Sequence, residues 1–234
     1  MFKNSEGRWK RVMLLAFAVF AMTAFAAACG DDDDDPDDGG DGPTSTSTTG
    51  GGDAKEGGEI TIQYLEHASF DPHYSSFAQD IGVQGMVFRG LYALDVKNVP
   101  QPLMAADMPE ISSDGKTYTI EIQDDLEWSD GEPLKAKDFV AGFIRTCNPD
   151  NAGEYQYILS NVVGCDAYYS ATDKTDAEKA TLRAAVGVKE VDENTIEIKL
   201  SNPQASFTAL LSLWMTWPVP THIVPNPDDA WPDP

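Results

Sequence analysis

The sequence predicts a mixed α/β fold, and three observations carry that expectation. Apolar residues alternate with polar ones over 118–122 and 196–200, the period of strands with one buried face. Phe139, Val140, Phe143 and Ile144 fall on one side of a helix. Asp-Gly pairs at 114–115 and 130–131 stand where turns are needed, because glycine takes the positive φ that such turns demand.

The first 28 residues are of another kind. Val12 to Ala28 carries no charge and follows Lys3, Arg8, Lys10 and Arg11 with Glu6 as the lone acid, the order of an export signal. Seventeen uncharged residues rise only about 25 Å as a helix, short of the roughly 30 Å bilayer core, which argues against a spanning anchor. Ala26-Ala27-Ala28 directly before Cys29 resembles a bacterial lipobox, with Ala26 where a branched residue is usual. That resemblance implies cleavage before Cys29 and lipidation of its thiol.

Residues 29–58 hold eight Asp between positions 31 and 41, then a Gly/Ser/Thr-rich run. Nothing in them builds a core, so they read as an acidic, solvated tether between lipid and fold. The folded region is expected over 59–234.

Within it, Glu59 to Leu65 alternates as a short strand before a turn at Asp71-Pro72. Ile81, Val83, Met86, Val87 and Leu91 recur at helical spacing and predict a helix packed on the sheet. Residues 108–134 predict three short antiparallel strands, with Tyr118, Ile120 and Ile122 inward. The helix that follows, over 135–147, has Asp138 in its first turn, where the helix dipole favours a carboxylate. A further helix is expected within 176–186. Residues 186–203 predict a hairpin turning at Asp192-Glu193-Asn194 with Ile196, Ile198 and Leu200 inward. A short apolar helix over 206–217 ends in a proline-broken segment, and Trp128, Trp214 and Trp217 are expected in the core.

Composition excludes several functions. Of the formal charge of −23, residues 1–28 contribute +3 and residues 29–58 contribute −9, so residues 59–234 still carry −17. Nucleic-acid binding needs clustered Lys and Arg that are missing here. No Gly-x-Ser-x-Gly elbow, His-Glu-x-x-His pair or phosphate loop is present, so catalysis is not expected. With Cys29 assigned to lipid, Cys147 and Cys165 remain. In an oxidising compartment they would close a loop of about 19 residues worth roughly 3 kcal/mol, the alternative being two buried thiols. His67, His73 and His222 show no zinc-ligand spacing to either cysteine.

The segments "FDPHYSS", "FRGLYAL", "SSDGKTYTIEIQDDLEWSDGEPLKAKDFVAGFIR", "VGVKEVDENTIEIKLSNP" and "WPVPTHIV" resemble, in this order, the family 5 extracellular solute-binding proteins, the oligopeptide and dipeptide receptors of ABC importers. The resemblance implies a periplasmic-binding-protein-like class II fold, here the start of the ligand-binding lobe plus a mixed α+β accessory domain. It implies a lipid-anchored receptor on the outer face of the membrane that passes peptide to a permease and its ATPase, with no cofactor. A sensor or adhesion lipoprotein of the same fold is the alternative, as is another cargo: nickel, haem or oligosaccharide. By residue match, His73, Tyr74, Ser76, Phe77 and Ala78 border the cleft. Were the cargo nickel or haem, His67 and His73, six apart across a proline turn, would be the candidate ligands, but that spacing is no metal motif and no metal site is expected. The family continues beyond the point corresponding to Pro234 into a second lobe, so residues 1–234 are expected to bind little alone. Lys135 departs from the family's Thr or Ser, removing a hydroxyl N-cap worth about 1 kcal/mol.

Overall fold

A four-stranded antiparallel sheet, its strands ordered in space as Glu110–Ile111 (β3), Thr117–Glu121 (β4), Thr195–Lys199 (β6) and Val188–Asp192 (β5), is the frame of the computed structural model, which describes residues 57–66 and 68–226. The leader, the tether through Glu56, Cys29 and His67 lie outside the described residues. β4 (Thr117–Glu121) pairs with β6 (Thr195–Lys199) so that Tyr118 opposes Ile198 and Ile120 opposes Ile196. All four side chains are buried, which is what the two-residue period requires of a sheet with one dry face. β3 (Glu110–Ile111) lies on the outer side of β4. β5 (Val188–Asp192) closes the other edge through a turn in which the Asn194 N–H donates to Asp192 Oδ1 at 2.9 Å. Two hairpins far apart in sequence therefore make one sheet.

Helix α2 (Ala136–Thr146) follows β4 and buries Phe139, Phe143 and Ile144 in the shared core. Lys135 occupies its N-cap, and a lysine cannot accept from the helix. Asp138 supplies the reverse half of a capping pair instead, its Oδ2 accepting the Lys135 N–H at 2.9 Å. The Lys135 ammonium reaches Asn194 Oδ1 at 3.2 Å, so the residue that lacks a hydroxyl ties the helix start to the β5–β6 turn. The stretch after α2 carries a 3-10 turn (Gln156–Leu159), α3 (Cys165–Tyr169) and α4 (Asp176–Ala184). Helix α4 has a full capping box, Thr175 with Glu178. A bridge between Val162 and Leu200 fastens this stretch to the sheet. The last elements are α5 (Phe207–Leu210), whose Phe207 ring meets Tyr118 edge-on at 5.0 Å, and a 3-10 turn (Trp214–Thr216).

Four local expectations are corrected. Glu59 to Leu65 is not a strand, since no neighbouring strand among the described residues offers a ladder for its amides. Residues 126–133 form a single bridge, Glu127 with Pro133, rather than a third strand. Helix α1 (Ala78–Val87) buries Asp80 and Gln84 and leaves Met86 and Val87 exposed, and Leu91 lies beyond it in the core. The cause is local: Asp80 Oδ1 accepts the Ala68 N–H at 2.7 Å, and Gln84 Nε2 donates to Ser69 O at 3.0 Å, so the polar face serves the backbone of the preceding turn. Trp128 and Trp214 are half-buried at the margin of the core, while Trp217 is buried. A hairpin absent from the sequence reading joins β1 (Tyr92–Leu94) to β2 (Pro100–Pro102).

Candidate functional site

The turn at 69–78 is built around a buried carboxylate. Proline at 72 restricts the chain, and the Asp71 carbonyl accepts the Tyr74 and Ser75 amides at 3.3 and 3.0 Å. The Asp71 side chain then looks inward: Oδ1 accepts the His73 N–H at 2.9 Å, and Oδ2 accepts from the Arg145 guanidinium on α2. Asp71 and Arg145 are both buried, so neither charge is screened by solvent. Burial alone would raise the Asp71 pKa. The hydrogen bonds from His73, with the charges of His73 and Arg145, outweigh it and hold the carboxyl at about 2.

His73 extends the knot in two directions. Its Nε2 donates to the Trp217 carbonyl at 3.0 Å, and its own carbonyl accepts from Asn151 Nδ2 at 3.0 Å. Gly142 on α2 permits this approach, since a Cβ there would stand 2.1 Å from the Trp217 oxygen and 3.0 Å from His73 Nε2. Ser75 closes the turn, its hydroxyl donating to Asp71 O at 2.8 Å and accepting from Gln84 Nε2 at 2.6 Å. Its carbonyl accepts from Trp214 Nε1 at 3.1 Å. The turn is thereby fixed to α1, α2 and the 214–217 segment at once.

Outside the knot the same turn presents Tyr74 and Phe77, each 56% exposed, together with exposed Ala78 and half-buried Ser76. Phe77 is extended, with φ −89° and ψ 137°. Among the described residues no protein group takes the Ser76 N–H, the Ser76 carbonyl or the Phe77 N–H. The turn thus shows a short strand-like edge on a rigid support. Of the five residues singled out from the sequence, the structure brings Tyr74, Ser76, Phe77 and Ala78 together on this edge. It places His73 inside, 3% exposed, as an anchor of the turn. Asp71 and Arg145 were missed, because an ion pair spanning 74 residues leaves no local pattern in a sequence.

The remaining site residues lie elsewhere. The sulfurs of Cys147 and Cys165 are 1.97 Å apart with both residues buried, joining the end of α2 to the start of α3. A cavity of about 410 Å³ is walled by Phe88, Met104, Trp128, Leu134 and Pro220, with the His222–Asp130 pair at 2.7 Å on its rim. That hydrogen bond from His222 draws the Asp130 pKa down. Among the described residues no three His, Cys, Asp or Glu side chains gather in a way that could hold a metal ion, and no helix is long and apolar enough to cross a membrane.

Comparison with known proteins gives a consistent result. The family model described as bacterial extracellular solute-binding proteins, family 5 Middle, matches residues 99–234. Oligopeptide-binding protein OppA of Bacillus subtilis is 31% identical over 154 residues, covering 66% of this chain and 27% of the relative. Periplasmic OppA of Escherichia coli is 30% identical over 172 residues, covering 72% and 30%. The probable deoxycholate-binding periplasmic protein YgiS of E. coli is 33% identical over 148 residues, covering 63% and 26%. Among solved structures, the pheromone receptor PrgZ superimposes with a TM-score of 0.63 at 34% identity, over 70% of this chain and 31% of that one. Peptide-bound OppA of Listeria monocytogenes gives a TM-score of 0.63 at 29% identity, over 70% and 30%. The chain spans less than a third of the length of each of these proteins.

Proposed function

The chain belongs to the family 5 bacterial extracellular solute-binding proteins, and on that footing we propose that it captures short peptides outside the membrane for an ABC importer. The observation that supports this best is the Ser76–Phe77 edge. A peptide in extended form would add to it as a strand, exchanging backbone hydrogen bonds with the Ser76 N–H and carbonyl and the Phe77 N–H. Pairing of this kind reads the peptide backbone and tolerates varied side chains. Tyr74, Phe77 and Ala78 would flank the bound strand, and the Asp71–His73–Arg145 knot would keep the edge from moving when peptide arrives.

Binding proteins of this class close over ligand between two lobes. Residues 59–234 would supply one face of the cleft, and a second lobe the other. The mechanism contains no covalent step: capture, closure and hand-over to a permease and its ATPase. Cys29 would carry the lipid that keeps the receptor at the membrane, and the acidic tract after it would give the domain slack. The names of PrgZ and of the oligopeptide-binding relatives support a peptide cargo. The YgiS relative, named for deoxycholate binding, supports a second reading in which the cargo is a steroid acid.

The test is uptake. Cells lacking this protein are given isotope-labelled tri- and pentapeptides, and internalised label is measured against the parent strain. A severalfold fall, restored by the complete gene, is expected. Unchanged peptide uptake together with lost deoxycholate uptake would replace the peptide reading by the second one.

A further inference from the structure

Residues 148–164 run between the bonded Cys147 and Cys165, and this closed loop bears on the turn that carries the Ser76–Phe77 edge. Asn151 Nδ2 donates to the His73 carbonyl at 3.0 Å. Gly153 lies so close to the same oxygen that a Cβ on it would stand 2.2 Å away. Between them Ala152 has a φ of 50°, a left-handed conformation that costs an alanine and persists where its neighbours impose it. Further along, the Tyr155 ring meets Trp214 edge-on at 4.8 Å, and Trp214 Nε1 donates to the Ser75 carbonyl. The loop therefore reaches the turn at His73 and, through Trp214, at Ser75, the residue before the edge.

The two cysteines tie this loop to the elements that support it. Cys147 caps α2, two residues after the Arg145 that pairs with Asp71. Cys165 opens α3, and Tyr169 at the far end of α3 donates its hydroxyl to the Gly153 carbonyl at 3.1 Å. Gln156 Nε2 donates to Asp166 Oδ1 at 2.9 Å, and Lys179 on α4 meets the Asp150 carboxylate at 2.6 and 2.9 Å. The disulfide thus sets α3 against the end of α2, and α3 sets Gly153 against His73.

On the reading of the Ser76–Phe77 edge as the peptide site, we propose that the disulfide-closed loop is the second half of a clamp on that edge. Asn151 and Gly153 are its positioning residues and act through the turn. The Asp71 knot holds the His73 amide and the Trp217 carbonyl holds its ring, while the loop holds its carbonyl. Together they fix the direction in which the Ser76 and Phe77 backbone groups point. An edge released on the loop side would still meet peptide but keep it for less time, so the loss falls on dissociation.

The test uses the receptor expressed from its complete gene. Asn151→Asp keeps the side-chain shape, loses the donor and sets a carboxylate against the His73 oxygen. Cys147→Ser combined with Cys165→Ser opens the loop. Ile120→Val, a loss of packing in the sheet, is the control for lowered stability alone. Hydrogen exchange reads the Tyr74 and Ser75 amides, which bond to the Asp71 carbonyl, and binding of the isotope-labelled pentapeptides of the uptake test reads the edge. Asn151→Asp and the double cysteine variant are each expected to speed exchange in the turn at least tenfold and to raise the peptide Kd at least tenfold, through faster release. Ile120→Val is expected to leave both within twofold of the parent. Turn exchange within twofold of the parent in Asn151→Asp or in a folded double cysteine variant overturns the proposal. So does unchanged peptide affinity despite faster exchange, or an Ile120→Val variant that matches Asn151→Asp in both readouts. A parent that holds none of the peptides removes the peptide reading, and the clamp then stands or falls on exchange alone.

Discussion

Replacing Asp71 with Asn keeps the side-chain shape but removes the charge and one of its two acceptor oxygens, so that the new NH2 faces a donor, either the His73 N–H or the Arg145 guanidinium. The magnitude follows from two contributions. The Asp71 carboxyl is held at about 2 in the folded protein against roughly 3.9 in an unfolded chain, a difference worth roughly 2–3 kcal/mol at neutral pH. The substitution also leaves the Arg145 guanidinium buried beside a neutral amide, and breaking a buried pair costs on the order of 3–5 kcal/mol in all. For a domain of this size that is a fall in Tm of roughly 10 °C at pH 7. Because the folded pKa lies below the unfolded one, the carboxylate's contribution is present in full above about pH 4 and disappears as pH falls through about 2. Urea unfolding followed by tryptophan fluorescence at a series of pH values tests this. The gap between parent and Asp71→Asn is expected to narrow by about 2 kcal/mol between pH 5 and pH 2, with the carboxyl half protonated at the lower end. A gap below 0.5 kcal/mol at pH 7, or one of the same size at every pH, would refute the account of the knot.

Three further outcomes follow from the same geometry. Gly142→Ala gains up to about 1 kcal/mol of helix propensity, yet its Cβ would stand 2.1 Å from the Trp217 oxygen, so displacement of that backbone wins and a net loss of about 1–2 kcal/mol is expected by urea unfolding. Reducing the Cys147–Cys165 bond, which closes a loop with a sequence separation of 18, is expected to cost about 3 kcal/mol, and a thiol count on unreduced, unfolded and delipidated protein should find neither of these cysteines free. Ser76→Ala is expected to leave peptide uptake nearly unchanged, whereas Ser76→Pro, which deletes the backbone N–H, should lower it at least tenfold with Tm shifted by no more than a few degrees; equal effects of the two would remove backbone pairing from the mechanism.

The parts of the fold legible in the sequence are those whose pattern matches their burial. Tyr118 and Ile120, like Ile196 and Ile198, alternate because one face of the sheet is dry, and Phe139, Phe143 and Ile144 recur because α2 lies on that face. Where burial is decided by distant partners, the pattern misleads. Helix α1 turns Asp80 and Gln84 inward because the 68–75 backbone has polar groups to satisfy, and a hydrophobic count points the helix the other way. β1 and β2 escaped notice because each has three residues and β2 contains two prolines, which a two-stranded ribbon accepts on its free edge. Tyr74, Ser76, Phe77 and Ala78 entered as candidates by resemblance alone, with no local pattern of their own to mark them. The role of His73 as an anchor was hidden, since it depends on Trp217 and Asn151, which nothing near residue 73 announces.

What the native protein holds when it is taken from the membrane tests peptide capture most directly. Released gently from the membranes of its own organism and sprayed under native conditions into a mass spectrometer, it is expected to retain short peptides of mixed sequence at near one per protein, and the Ser76→Pro variant to retain none. A native protein that arrives with no peptide, or with a non-peptide ligand that Ser76→Pro holds as well as the parent does, would contradict it.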